Sequence, residues 1–213
     1  MNRPIIGKYK SLPVRESDAM GKAFYSTDDL ERLSATMHEA CVKAVSQATN
    51  EDYVAGLTWY ESRADMLIDW AEQYGRTFDQ TAAIMALLSP QLRYQKNATA
   101  ALNMVLGLAP KHGLGLGVRR AYAVLDGADV RSTIGGQKVK AFFHNLRHPM
   151  DGDHVTIDVW MAKLGGLESD KALERKGAYQ ALAEGVKRAA NDLGLIACQV
   201  QAIAWIVTRG AAL

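Results

Sequence analysis

Two cysteines, Cys41 and Cys198, are all that this 213-residue chain carries. Two thiols cannot complete a four-cysteine zinc site or iron–sulfur cluster. Both fall in apolar helical patterns, so buried, reduced thiols are expected. Charge of one sign is scarce too. Lys and Arg number 25 against 23 Asp and Glu, a net charge of +2. That is too mild to establish nucleic-acid binding and leaves room for a local basic face. No hydrophobic run approaches membrane-spanning length, and Met1 to Lys10 has no apolar leader core. The expectation is a soluble, cytoplasmic protein without a membrane partner. Strand alternation, internal repeats and low-complexity tracts are also missing.

What is present is helical periodicity, with 48% hydrophobic residues to bury. Residues 1–26, with Pro4, Gly7, Pro13 and Gly21, read as an N-terminal arm, and 27–213 as a single helical domain. A first helix is predicted from Thr27 to about Ala48, with Leu30, Leu33, Met37, Cys41 and Val45 along one face. A second is predicted from about Val54 to Tyr74, stopped by Gly75. Thr77 and Gln80 form a capping-box pattern for a third, Phe78 to Leu88. This helix is apolar nearly all round and should be the buried centre. Ser89-Pro90-Gln91 breaks the chain, and a fourth helix runs from about Tyr94 to Leu106. A glycine-rich connector over residues 109–117 precedes a short helix from Val118 to Leu125. A hairpin is expected at about 128–147, its second helix running from Gln137 to about Leu146. A polar loop, His148 to His154, leads to a helix beginning near Asp158 and ended by Gly165-Gly166. Two more, about Lys171 to Leu193 and Leu195 to Arg209, close the chain. The class is all-α, roughly nine or ten helices in two lobes.

Chemistry concentrates at two points. Gly135-Gly136-Gln137-Lys138 is a glycine turn that opens a helix. Its backbone N–H groups suit a phosphate, and a helix N-terminus favours negative charge. Lys138, in the first turn, meets the positive end of the helix dipole, which favours the neutral amine and hence nucleophilic attack. Lys140 lies about 200° further round the helix and so cannot share its direction; it is the candidate for phosphate contact or solvent. Twenty positions after Lys138 (158 − 138), Asp158 stands between the apolar Val155-Thr156-Ile157 and Val159-Trp160-Met161. An aspartate there is a good N-cap, and a cap can hold a carboxylate where catalysis needs one.

These residues resemble the helix-hairpin-helix (HhH-GPD) DNA glycosylases, the superfamily of endonuclease III. Gly136-Gln137-Lys138 matches the family's G-x-K. Ile157-Asp158-Val159-Trp160 matches its apolar-Asp segment, and Leu87-Leu88-Ser89-Pro90-Gln91 is similar to its L-L-S-x-Q. The three occur in family order, and the resemblance covers about residues 55–209. It ends on a helix with Gln201, Trp205 and Arg209. The chain departs from the pattern at Thr133-Ile134-Gly135-Gly136, where the family has P-G-V-G, and at Trp160, where it has histidine. No cysteine cluster follows the last helix, so no iron–sulfur cluster is expected.

The resemblance implies a two-lobed fold with a cleft between lobes and a nucleotide flipped out of double-stranded DNA. Lys138 would be the nucleophile on C1′ and Asp158 the electrostatic stabiliser and base. Gln91 would fill the gap left by the extruded base. Gly135, Gly136, Gln137, Lys140 and Arg93 would contact DNA, with Tyr94 a stacking candidate. A monovalent cation at the hairpin is the one cofactor implied. The chain should act as a monomer. The implied activity is a DNA glycosylase with lyase capacity. Two alternatives are a bacteriophage enzyme of base hypermodification acting on an altered thymine, and a helical DNA-binding module without catalysis. His148, Asp151, Asp153 and His154 cluster with Asp158 in sequence, but such polar runs are ordinarily solvated loops, so no metal site is expected.

Overall fold

Cap signals in the sequence set where the helices begin. In the computed structural model of this chain the described residues are 16–17, 23–167 and 170–210. Ser26 caps α1 (Thr27–Ser46) through a reciprocal box with Asp29. Thr49 caps α2 (Asn50–Leu57), which is followed by α3 (Trp59–Gln73). The expected box of Thr77 and Gln80 opens α4 (Phe78–Leu88), with each backbone N–H held by the other's side chain at 3.0 and 3.1 Å. Next come α5 (Tyr94–Val105), α6 (Gly115–Leu125), α7 (Val130–Thr133, capped by Asp129) and α8 (Gln137–Arg147). Asp158 caps α9 (Val159–Leu164); α10 (Asp170–Leu173), α11 (Ala178–Leu193) and α12 (Ala197–Arg209) follow.

The described residues are thus all-α in class, with one two-residue antiparallel pair, β1 (Glu16–Ser17) against β2 (Ala23–Phe24), in which Glu16 faces Phe24. The arm expected over residues 1–26 otherwise lies largely outside the described residues.

Three sequence expectations need correction. The helix predicted over 54–74 is two helices, broken at Thr58, whose hydroxyl donates to the Val54 carbonyl at 3.1 Å. Such back-bonding bends or ends helices. The apolar pattern continues across the break, so periodicity conceals it. The helix predicted over 171–193 is also two, because Gly177 turns into the left-handed region at φ 86°. The described residues therefore hold twelve helices, more than the nine or ten expected.

The chain divides into two compact units, one made of the residues up to Trp59 together with those from Asp151 on, the other of Tyr60–Met150. In the first unit α1 lies along α11, α2 lies on α12, and α12 also packs on α1 and α11. Gly185 lets α11 approach α1. A Cβ there would overlap the Ser34 carbonyl oxygen and stand 2.7 Å from the Met37 Cβ. In the second unit α4 is the axis. Residues 81–89 are all buried, and α5, α6 and α8 pack on this helix. Three side chains tie its neighbours to it: Thr81 donates to the Leu67 carbonyl (2.9 Å), Asn97 to the Met85 carbonyl and Gln80 to the Val124 carbonyl (both 3.1 Å). No single described helix is long and apolar enough to cross a membrane; α11 and α12 pass jointly on length and composition but bend by 102°.

Candidate functional site

Lys138 belongs to the second unit and Asp158 to the first. Around Lys138 the chain first makes a tight turn. Helix α7 ends at Thr133, and Ile134-Gly135-Gly136 leads directly into α8. Gly136 is the N-cap at φ 83°, in the left-handed region that glycine tolerates best. No side chain caps α8 and no acid sits in its first turn, so its opening N–H groups have no intrahelical acceptor. Gly135 lies against Arg120, close enough that a Cβ would stand 2.7 Å from a guanidinium nitrogen.

Lys138 is half-buried and Lys140 exposed, the divergence that helical geometry demands. The Lys138 Nζ donates to the Ser89 hydroxyl at 2.9 Å and lies 5.9 Å from the Phe142 ring centroid. Ser89 is buried at the C-terminus of the apolar α4. The Leu92 N–H returns to the Ser89 carbonyl at 3.3 Å, and between them Gln91 has φ 61°, the one non-glycine residue with positive φ among those described. Proline in second place and positive φ in third is the pattern of a type II turn, where glycine or asparagine is the usual occupant. Gln91 therefore holds a strained backbone and an exposed side chain. Two motifs 49 residues apart, Ser89-Pro90-Gln91 and Gly136-Gln137-Lys138, thus meet in one unit.

The remaining candidates of this unit have ordinary placements. Gln137 and Arg93 are exposed, and Arg93 precedes α5 without a side-chain capping bond. Tyr94 is half-buried, with the Arg63 guanidinium 4.7 Å over its ring. Burial raises its phenol above the usual tyrosine value. One face of the stacking candidate is thereby already covered. From Gln80 to Leu125 the sequence has no Asp or Glu, while Arg93, Lys96, Lys111, Arg119 and Arg120 fall in that stretch.

Asp158 is built by a different device. The segment Val155-Thr156-Ile157 is buried, and Tyr179 from α11 grips it, its hydroxyl donating to the Val155 carbonyl at 2.8 Å and accepting from the Ile157 N–H at 3.2 Å. Burial pushes the Tyr179 phenol up to about 12. The chain reaches Asp158 extended, at φ −101° and ψ −175°. Its Oδ1 accepts the Trp160 and Met161 N–H groups at 2.9 and 3.0 Å, and its Oδ2 accepts the Trp205 indole N–H at 2.9 Å. The capping reading of Asp158 holds, and the residue is half-buried. Trp205 is half-buried. The Arg209 guanidinium lies 4.3 Å from its ring centroid, and Trp59 meets it edge-on at 6.0 Å. Trp160 has Lys163 at 5.3 Å and Arg209 at 5.9 Å from its centroid.

Ser89 and Trp205 carry the two contacts absent from the sequence expectations. The spacing of Trp205 and Arg209, four apart on one helix, signals their stacking. Nothing local signals the contacts to Lys138 or Asp158.

An all-α chain of two helical units carries these residues. It belongs to the DUF7178 family, a family of unknown function, whose model matches residues 26–212. No curated protein and no solved structure matches it.

Proposed function

We propose that this chain is a DNA glycosylase with lyase capacity, of the helix-hairpin-helix type, acting on a damaged or modified base extruded from double-stranded DNA. The observation that carries the reading is the Lys138–Ser89 hydrogen bond. It joins the glycine turn that opens α8 to the strained turn that presents Gln91, and it holds an amine between them. The acid-free stretch from Gln80 to Leu125 supports a polyanionic partner, since five cations there have no carboxylate within the segment to answer them. Lys138 attacks C1′ as the neutral amine, the glycosidic C–N bond breaks, and the base leaves with the bonding pair and takes up the proton that the nitrogen sheds. Asp158 stabilises the cationic sugar as that bond lengthens.

A second reading is favoured by one observation. Both oxygens of Asp158 already serve α9 and α12, as they would in a DNA-binding module without catalysis.

Borohydride trapping separates the two. On duplex DNA with an abasic site, the amine condenses with the C1′ aldehyde, expels water and leaves an imine that borohydride reduces to a stable adduct. Wild type should give the adduct and Lys138→Ala should not. A wild type that binds the duplex without any Lys138-dependent adduct refutes the lyase and leaves the binding module. Nucleoside analysis of plain and hypermodified phage DNA after incubation then distinguishes base release from a change made to a retained base.

A further inference from the structure

We infer that Trp205 is the positioning residue for Asp158, and that the carboxylate acts through the orientation this indole imposes; the inference rests on the glycosylase reading. A carboxylate at a helix N-cap is fixed at one oxygen only. Here Oδ1 is held by two backbone N–H groups of α9, and the swing that those two bonds still allow is limited by whatever meets Oδ2. The group that meets it is the Trp205 Nε1–H, at 2.9 Å. Indole N–H is a donor with no acceptor capacity. All three of these neighbours therefore donate, and none can take a proton from the acid. This arrangement fits a carboxylate that works as an anion beside a developing cation.

The indole is itself held. Its sequence neighbour on the helix face, Arg209, stacks on the ring at 4.3 Å, and Trp59 closes on it edge-on at 6.0 Å. Trp205 reaches Asp158 across 47 residues, so α12 and α9 are locked in register at the acid.

Trp205→Phe keeps the ring and removes the donor. In single-turnover base release, or in the trapping rate on abasic DNA, the rate should fall about tenfold or more, the scale of losing a hydrogen bond to a charged group, with the affinity for DNA unchanged. Trp59→Phe, which alters the same packing and leaves the Asp158 donor in place, should slow the reaction far less than Trp205→Phe does. In a 15N spectrum the four indole signals can be assigned by substitution. The Trp205 signal should shift when Asp158→Asn is introduced. A Trp205→Phe enzyme at the wild-type rate overturns the inference while the glycosylase reading stands. Equal slowing by Trp59→Phe also overturns it, because packing then accounts for the effect. A wild type that neither releases a base nor forms a Lys138-dependent adduct refutes the glycosylase reading, and the inference with it.

Discussion

Asp158→Asn tests the geometry of the acid without any substrate. The native carboxylate accepts three hydrogen bonds, two from the α9 cap at 2.9 and 3.0 Å and one from the Trp205 indole at 2.9 Å. Asparagine offers one carbonyl oxygen and one amide NH2. If the oxygen stays on the cap, the NH2 faces the indole N–H, donor against donor. If the amide flips, the indole is satisfied and the cap is lost. A hydrogen bond to a charged group contributes about 1.5–3 kcal/mol, and partial exposure of this site reduces that to about 1–2 kcal/mol. Asp158→Ala loses the cap as well, a further ~1 kcal/mol. The order of stability should be wild type, then Asn, then Ala. For a chain of this length the melting temperature should fall by about 2–8 °C in the asparagine variant. The decisive measurement is the same substitution made in Trp205→Phe. With the indole donor gone, asparagine keeps the cap and meets no opposing donor, so the cost of Asp158→Asn should nearly vanish. An undiminished cost in that background refutes the argued role of the Oδ2 contact.

Gln91→Gly should raise stability by up to ~1 kcal/mol in urea denaturation, because glycine accepts the φ of 61° that glutamine resists. The same variant should lose affinity for DNA containing an abasic site if the side chain fills the gap. Gly185→Ala should destabilise by about 1–3 kcal/mol despite the better helix propensity of alanine, because its Cβ meets the α1 backbone at the Ser34 carbonyl. Gly115→Ala, whose Cβ would find only an Arg119 nitrogen at 3.7 Å, should be neutral or stabilising in the same assay. The Tyr179 phenol rises from 10.0 to about 12 on folding. A group with a raised folded value contributes stability that is fully present below the unfolded value and is lost as pH climbs through the folded one. Unfolding free energy should therefore fall between about pH 10 and 12, and Tyr179→Phe should flatten that part of the profile. At the acid end, hydrogen bonds from Ser26 and Ser132 hold Asp29 and Asp129 below the usual 3.8. That stability is present above 3.8 and is lost as pH falls through the folded values, and a urea titration across acidic pH should show the decline.

The parts of this protein legible in its sequence are those fixed within a few residues. A Ser or Thr followed three positions later by a residue that can answer it marks a helix start, and Thr77 with Gln80 opens α4 where the pattern says. The apolar run 82–88 can only be buried, and it is. Lys138 and Lys140 diverge because the helix repeat leaves no choice. Asp158 caps α9 because an extended aspartate ahead of a helix accepts its first N–H groups.

What the tertiary structure alone decided are the contacts that close over long stretches of chain. Thr58 breaks a helix whose hydrophobic pattern runs on without interruption, since a hydroxyl returning to a carbonyl leaves no trace in periodicity. Ser89 comes to Lys138, and Trp205 comes to Asp158, only after α4 meets α8 and α12 meets α9. Local propensity fixes the direction of each side chain along its own helix. The partner it finds there is set by which helices pack together, and that depends on the whole buried surface of each unit.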